Sequence, residues 1–215
     1  SVPGVREERG SERNTQLGKP RAAKDIDGIL LENPYFTLLY SPTLGRARWV
    51  AWHVSPADLG DVDRQNDFRE DLRLSSRYRL TATDYRGSGY SRGHICPSAD
   101  RTNSVEANSA TFVMSNMAPQ RADLNEGPWE KLERFTRSLS RRNPNVYVYA
   151  GTWGDQGRVP RSSLPLYAPT HFWKIVVVTG SSPSDIRRVI SVAMPNISGI
   201  KEANWREYEV QISKI

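Results

Sequence analysis

The stretch Tyr85–Arg101 reads YRGSGYSRGHICPSADR and carries His94, one of three histidines, beside the only cysteine, Cys96. Gly87 and Gly89 read as a tight turn, where glycine relieves the steric limits on the backbone. On this reading the glycine run turns a hairpin that feeds a strand bearing His94, and Pro97 ends that strand. The stretch lacks the lysine and following hydroxyl residue of a P-loop, so nucleotide binding of that type is not expected.

Outward from this stretch the chain is rich in short strands. Tyr35–Tyr40, Arg48–Ser55, Arg79–Tyr85, Asn145–Trp153, His171–Gly180 and Arg188–Pro195 all concentrate β-branched and aromatic residues. The run Trp173–Val178 reads as a central strand buried on both faces. One helix stands out, Gly127–Arg142, with Trp129, Leu132, Phe135 and Leu139 on one stripe. Pro128 suits its first turn and Pro144 ends it. A second helix is expected within Ser104–Asn116. Many strands with few helices predict an α+β fold, a central, mostly antiparallel sheet flanked by helices. Residues 1–27 are polar and read as a flexible tail; residues 28–215 read as a single domain.

The composition narrows the chemistry. One cysteine in 215 residues excludes an internal disulfide and any multi-cysteine zinc site. No apolar run reaches membrane-spanning length, no membrane partner is expected, and no signal peptide is visible. The net charge is +6 and most cations are arginines, whose planar fork suits phosphate. Charge of that size also fits compositional bias, so by itself it identifies no partner.

Downstream of His94 lie Asn116, Gln120, Asn125 and Glu133. If a helix begins near Asn125, Asn125 and Glu133 differ by roughly 80° around its axis at about 100° per residue, so both flank the Trp129 stripe. One imidazole, one amide, one carboxylate and arginines suit phosphodiester hydrolysis. A neutral histidine takes a proton from water, and oxygen ligands suit a hydrated Mg²⁺. Each residue has a simpler reading. Asn125 fits a helix N-cap, and Glu133 fits an i,i+4 partner of Arg137. His53 and His171 read as structural. A Cys96–His94 nucleophilic pair lacks an orienting acid, and Asn196-Ile197-Ser198 fits a glycosylation sequon.

The segment SRGH resembles the D-R-G-H motif of the DNA/RNA non-specific endonucleases, the ββα-metal nucleases of the endonuclease G type. NDFRED (Asn66–Asp71), ATDYRGSGYSRGH (Ala82–His94), SNMAPQRADLNEGPWEKLE (Ser115–Glu133) and THFWKIVV (Thr170–Val177) resemble the family in the right order. The likeness runs from about Tyr35 to the C-terminus. It implies a ββα-metal finger, here the hairpin around Tyr85–Pro97 with the Gly127–Arg142 helix. It makes His94 the general base, Asn125 the single direct protein ligand of Mg²⁺ (Mn²⁺ substituting), and Glu133 the holder of metal-bound water. Arg92 becomes a phosphate contact, and Asn116 helps to shape the site. The upstream phosphate-binding arginine is placed at Arg64, with Arg69 as the competing choice.

The resemblance further implies cleavage of DNA and RNA to 5′-phosphate and 3′-hydroxyl ends. It is compatible with a protein inhibitor and a homodimer. Secretion or a bacterial periplasm is the expected location, a mitochondrion the alternative. The rival class is a nuclease-like module that grips nucleic acid without cutting it. Two departures stand out. Family members often continue past a segment like NWREYEVQISKI, so C-terminal elements are expected to be absent or cut away. The motif aspartate is Ser91. An aspartate there, if near the imidazole, would raise the pKa of His94, so serine is expected to keep His94 active to lower pH.

Overall fold

The structure is a computed structural model and describes residues 8–21 and 26–215. The elements, in chain order, are α1 (Glu8–Ser11), β1 (Ile29–Glu32), β2 (Thr37–Ser41), β3 (Arg46–Val54), β4 (Ser91–His94), α2 (Val105–Ala110), β5 (Met117–Gln120), α3 (Ala122–Leu124), α4 (Glu130–Ser140), β6 (Val146–Trp153), β7 (His171–Thr179) and β8 (Ile186–Pro195). Six strands form one sheet in the order β1-β2-β3-β6-β7-β8, and every neighbouring pair is antiparallel.

Period-two alternation divides this sheet into two apolar faces. Val50, Trp52 and Val54 of β3 and Phe172 and Val176 of β7 face the main core. Trp49, Ala51, Tyr147, Tyr149, Trp173 and Val177 form a second cluster on the other face. Burial on both sides is why β7 reads as an almost unbroken apolar run. Helix α4 covers the main core with the stripe predicted from its spacing: Trp129 and Leu132 are buried, and Phe135 and Leu139 pack beside them. The α+β, mostly antiparallel architecture is therefore as expected.

A separate two-stranded ladder joins β4 to β5, from Ser91↔Gln120 to His94↔Met117. With α3 and α4 it forms a ββα unit. Here the structure corrects the local reading. The glycine run does not turn a hairpin; Gly87 and Gly89 adopt positive φ in a turn that only introduces β4. The partner strand arrives later in the chain, after α2. Arg79–Tyr85 is not a strand either. Asp84 accepts hydrogen bonds from the Thr81 backbone N–H and hydroxyl, and this capping box winds Ala82–Tyr85 into a 3₁₀ turn.

The tail expectation also needs correction within residues 10–21. Asn14 is fully buried. Its amide donates to the Asn33 and Pro34 carbonyls and accepts from the His53 N–H. Arg13 forms a bidentate pair with buried Asp58, and Leu17 packs on the second cluster. The segment docks through polar anchors on backbone groups, which hydrophobic composition does not reveal. The expectation for residues 1–7 and 22–25 lies outside the described residues.

Candidate active site

His94 sits at the end of β4 and is 8% exposed. Asn116 fixes the backbone just beyond it: its side chain accepts from the Cys96 N–H and donates to the Cys96 and Thr111 carbonyls. Phe112 and Phe68 pack edge-on against the imidazole, with ring centroids at 4.7 and 5.7 Å. Nε2 is buried among the described residues without a hydrogen-bond partner. That leaves Nδ1 for the cavity that His94 lines. Burial first, then the charges of Arg64 and Arg92, pushes the imidazole pKa down to about 3. The ring is therefore neutral, with a lone pair available to take a proton.

The same two phenylalanines carry the cations. The Arg92 guanidinium lies 3.8 Å from the Phe68 ring centroid, and that of Arg64 lies 4.9 Å from Phe112. Arg64 is further held by Asn66 and Ser98. Both arginines border the cavity of about 290 Å³ that His94 lines.

Asn125, Glu126, Glu130, Glu133 and Arg137 supply the opposite wall. They do so across a bend rather than on one continuous helix. Residues Asn125–Trp129 form a π turn between α3 and α4, with non-helical dihedrals at Gly127. The single straight helix on which the 80° separation of Asn125 and Glu133 depends does not form, yet both residues reach one cavity. Asn125 has helical dihedrals, so it is not an N-cap, and among the described residues its side chain makes no hydrogen bond that would occupy it. Burial pushes the Glu133 carboxyl up to about 7, against the pull of Lys174 and Arg137.

No three His, Cys, Asp or Glu side chains among the described residues form a metal cluster. An amide oxygen with nearby carboxylates is a different donor set, all oxygen, and fits a hard, partly hydrated cation such as Mg²⁺. The cavity thus combines a neutral imidazole, two guanidinium groups and oxygen donors that fit a cation.

The sequence profile of the "DNA/RNA non-specific endonuclease" family matches residues 13–215. The chain belongs to this family. With the family comes the enzyme class, a nuclease. Its relatives include a nuclease of Nostoc sp., 38% identical over 93% of this chain and 76% of the relative. The bovine mitochondrial endonuclease G is 34% identical over 91% of this chain and 67% of its own length. The human mitochondrial endonuclease G is 38% identical over 66% of this chain, and the match spans 52% of that protein. Among solved structures, an EndoG/EndoGI complex described for its mechanism of inhibition superposes with a TM-score of 0.81 at 25% identity, covering 94% of this chain and 86% of the other.

The remaining predicted residues of the nuclease sort by position. Arg69 does not border the cavity; its side chain is held by Asp67 and the Ser109 carbonyl, and its backbone pairs with Val113. Geometry thus favours Arg64 over Arg69. Asn116 is fully buried and its side chain hydrogen-bonds only backbone groups, those of Cys96 and Thr111, so it braces the chain beyond His94 and does not face the cavity. Ser91 borders a neighbouring cavity of about 610 Å³ with Arg64, Phe68 and Arg92, not the one that holds His94. Cys96 lies in the main core, and burial pushes its thiol up, against a nucleophilic role. His53 contacts Asn145 and His171 contacts Thr170, both away from the cavity. Asn196 is fully buried and bonded to Arg121, Pro119 and Pro169, so the folded chain does not present this sequon. Sequence reasoning missed Phe68 and Phe112. Phe68 lies within NDFRED and Phe112 just before Ser115, but an apolar residue gives no sequence signal for seating an arginine.

Proposed function

We propose that the chain is a Mg²⁺-dependent, sequence-non-specific endonuclease of DNA and RNA, with His94 as general base. The observation that carries this reading is the convergence of His94, Asn125, Glu133, Arg64 and Arg92 on one cavity. Arg64 and Arg92 grip the scissile phosphate. The free nitrogen of His94 removes a proton from water, and the oxygen attacks phosphorus in line. The bond from phosphorus to the 3′ oxygen breaks and that oxygen takes a proton from solvent water, leaving 5′-phosphate and 3′-hydroxyl ends. Asn125 would hold the ion directly and Glu133 through water. When bound, Mg²⁺ supplies positive charge to the phosphorane and the leaving oxygen. Mn²⁺ substitutes on the same donors.

Contacts confined to phosphate carry no base information, which supports indifference to sequence. The likeness to EndoG solved in complex with EndoGI supports a protein inhibitor as a partner, and a homodimer is compatible with this fold. No described helix is long and apolar enough to cross a membrane. We place the enzyme in a bacterial exterior or periplasm, with a mitochondrion as the alternative that the names of several relatives favour.

The test is nicking of supercoiled plasmid and cleavage of RNA, with Mg²⁺ and with chelator. Wild type should cut both only with the ion. His94→Ala should lose about 10²–10⁴ in rate while still binding nucleic acid. Asn125→Ala should recover in part at high Mg²⁺ or Mn²⁺. Binding without cleavage by the wild type would instead support the non-catalytic module.

A further inference from the structure

Lys174 occupies the middle of β7 and is 1% exposed. Its neighbours in the sheet are Ala150 on β6 and Val192 on β8, both fully buried. Placing an ammonium in such surroundings is unfavourable, and a methionine of similar length would fill the space without that cost. Two indoles steady the charge: Nζ lies 4.0 Å from the Trp129 ring centroid and 5.9 Å from that of Trp52. Its carboxylate partner is Glu133, with Nζ 3.9 Å from Oε1. The other buried ion pair nearby is already matched. Arg137 bonds Asp100, and Asp100 also accepts from the Trp52 indole. Glu133 is thus the carboxylate in direct contact with Lys174 and the larger of the two opposite charges acting on it, Asp100 being the second.

The separation matters. At 3.9 Å the contact is Coulombic, too long for a hydrogen bond. It steadies an anion without consuming an acceptor position on either oxygen. Glu133 also lines the catalytic cavity. We propose that Lys174 is a positioning residue, a buried counter-charge that holds the Glu133 carboxylate toward the cavity with its oxygens free to accept hydrogen bonds from ion-bound water. This rests on the proposed function, in which Glu133 holds such water.

The experiment is Mn²⁺ titration by calorimetry, with metal-free thermal melts, on wild type, Lys174→Met, Glu133→Gln and the double variant. Lys174→Met should raise the Mn²⁺ dissociation constant about tenfold or more. Glu133→Gln should do the same, and the double variant should bind no more weakly than Glu133→Gln alone. In the melts, Glu133→Gln should restore what Lys174→Met loses, because the stranded carboxylate is gone. Wild-type affinity in Lys174→Met, or losses that add in the double variant, would overturn the proposal. If Lys174→Met does not fold, a folded double variant supports the pairing, and an unfolded one overturns it. A wild type that neither binds Mn²⁺ nor cuts would overturn the proposed function and this role with it; a wild type that does both while Lys174→Met matches it overturns the role alone.

Discussion

His94 is an imidazole kept neutral by its surroundings, and this has a consequence for stability. Its pKa falls to about 3 in the fold against an ordinary value of 6.5. Between these values the unfolded chain binds a proton that the folded chain refuses. The contribution of His94 is therefore fully present above pH 6.5 and is lost as pH falls toward 3. Glu133, with its carboxyl pushed up to about 7, tilts the profile the other way at moderately acid pH. A difference between wild type and His94→Ala cancels that background. We predict that the difference in melting temperature is constant above about pH 7 and changes steadily below it; a flat difference down to pH 4 would show that the imidazole is not held neutral. Ser91 gives a second prediction. Strand alternation and the two cavities separate it from His94, so Ser91→Asp should leave the acidic limb of the pH–rate profile on that of wild type. An upward shift would place the new carboxylate beside the imidazole after all.

At the scale of elements, the bend at Gly127 lies two residues beyond Asn125, within the same π turn. A Cβ built on Gly127 would meet the Lys201 backbone at 2.7 Å from its oxygen and 2.8 Å from its Cα. The loop cannot easily withdraw. Lys131 donates to the Lys201 and Ala203 carbonyls, Lys201 pairs with Glu126, and the Gly199 N–H bonds Asp123. Gly127→Ala should destabilise the fold by about 1–3 kcal/mol through this overpacking. It should also raise the Mg²⁺ needed for half-maximal cleavage, because the strain falls on the turn that carries Asn125. Wild-type melting together with a wild-type Mg²⁺ requirement would show that the bend does not set the position of Asn125. The sequence showed this region only in part. The apolar stripe of α4 was legible because helical period is a local signal, and β3, β6, β7 and β8 were legible for the same reason. The kink was not, since it depends on a loop some seventy residues downstream. Nor was the pairing of β4 with β5, because alternation marks a strand without naming its partner. Lys174 is one polar residue inside the apolar run Trp173–Val178, and its partner Glu133 lies on a different element, out of reach of local pattern.

For the molecule as a whole, the N-terminal segment is tied to the sheet by side-chain hydrogen bonds as well as by the packing of Leu17. Asn14 touches backbone from two distant places, the Asn33–Pro34 turn between β1 and β2 and His53 on β3. Further on, Gln16 and the Gly18 carbonyl accept from the Tyr147 and Tyr149 hydroxyls on β6. Asn14→Ala would strip partners from buried backbone groups, and each such group left unpaired costs roughly 1–3 kcal/mol. A loss of about 2 kcal/mol lowers the melting temperature of a chain this size by roughly 4–8 °C. The cavity lined by His94 shares no residue with this anchor, so cleavage well below the melting point should be unchanged. Limited trypsin digestion followed by intact mass gives the local readout. Docked wild type should resist cutting after Arg13, whose guanidinium is engaged by Asp58, and Asn14→Ala should be cut there faster. Rapid cutting of the wild type at Arg13 would mean that the segment behaves as the free tail its composition implies, and that the polar anchors do not hold it in solution.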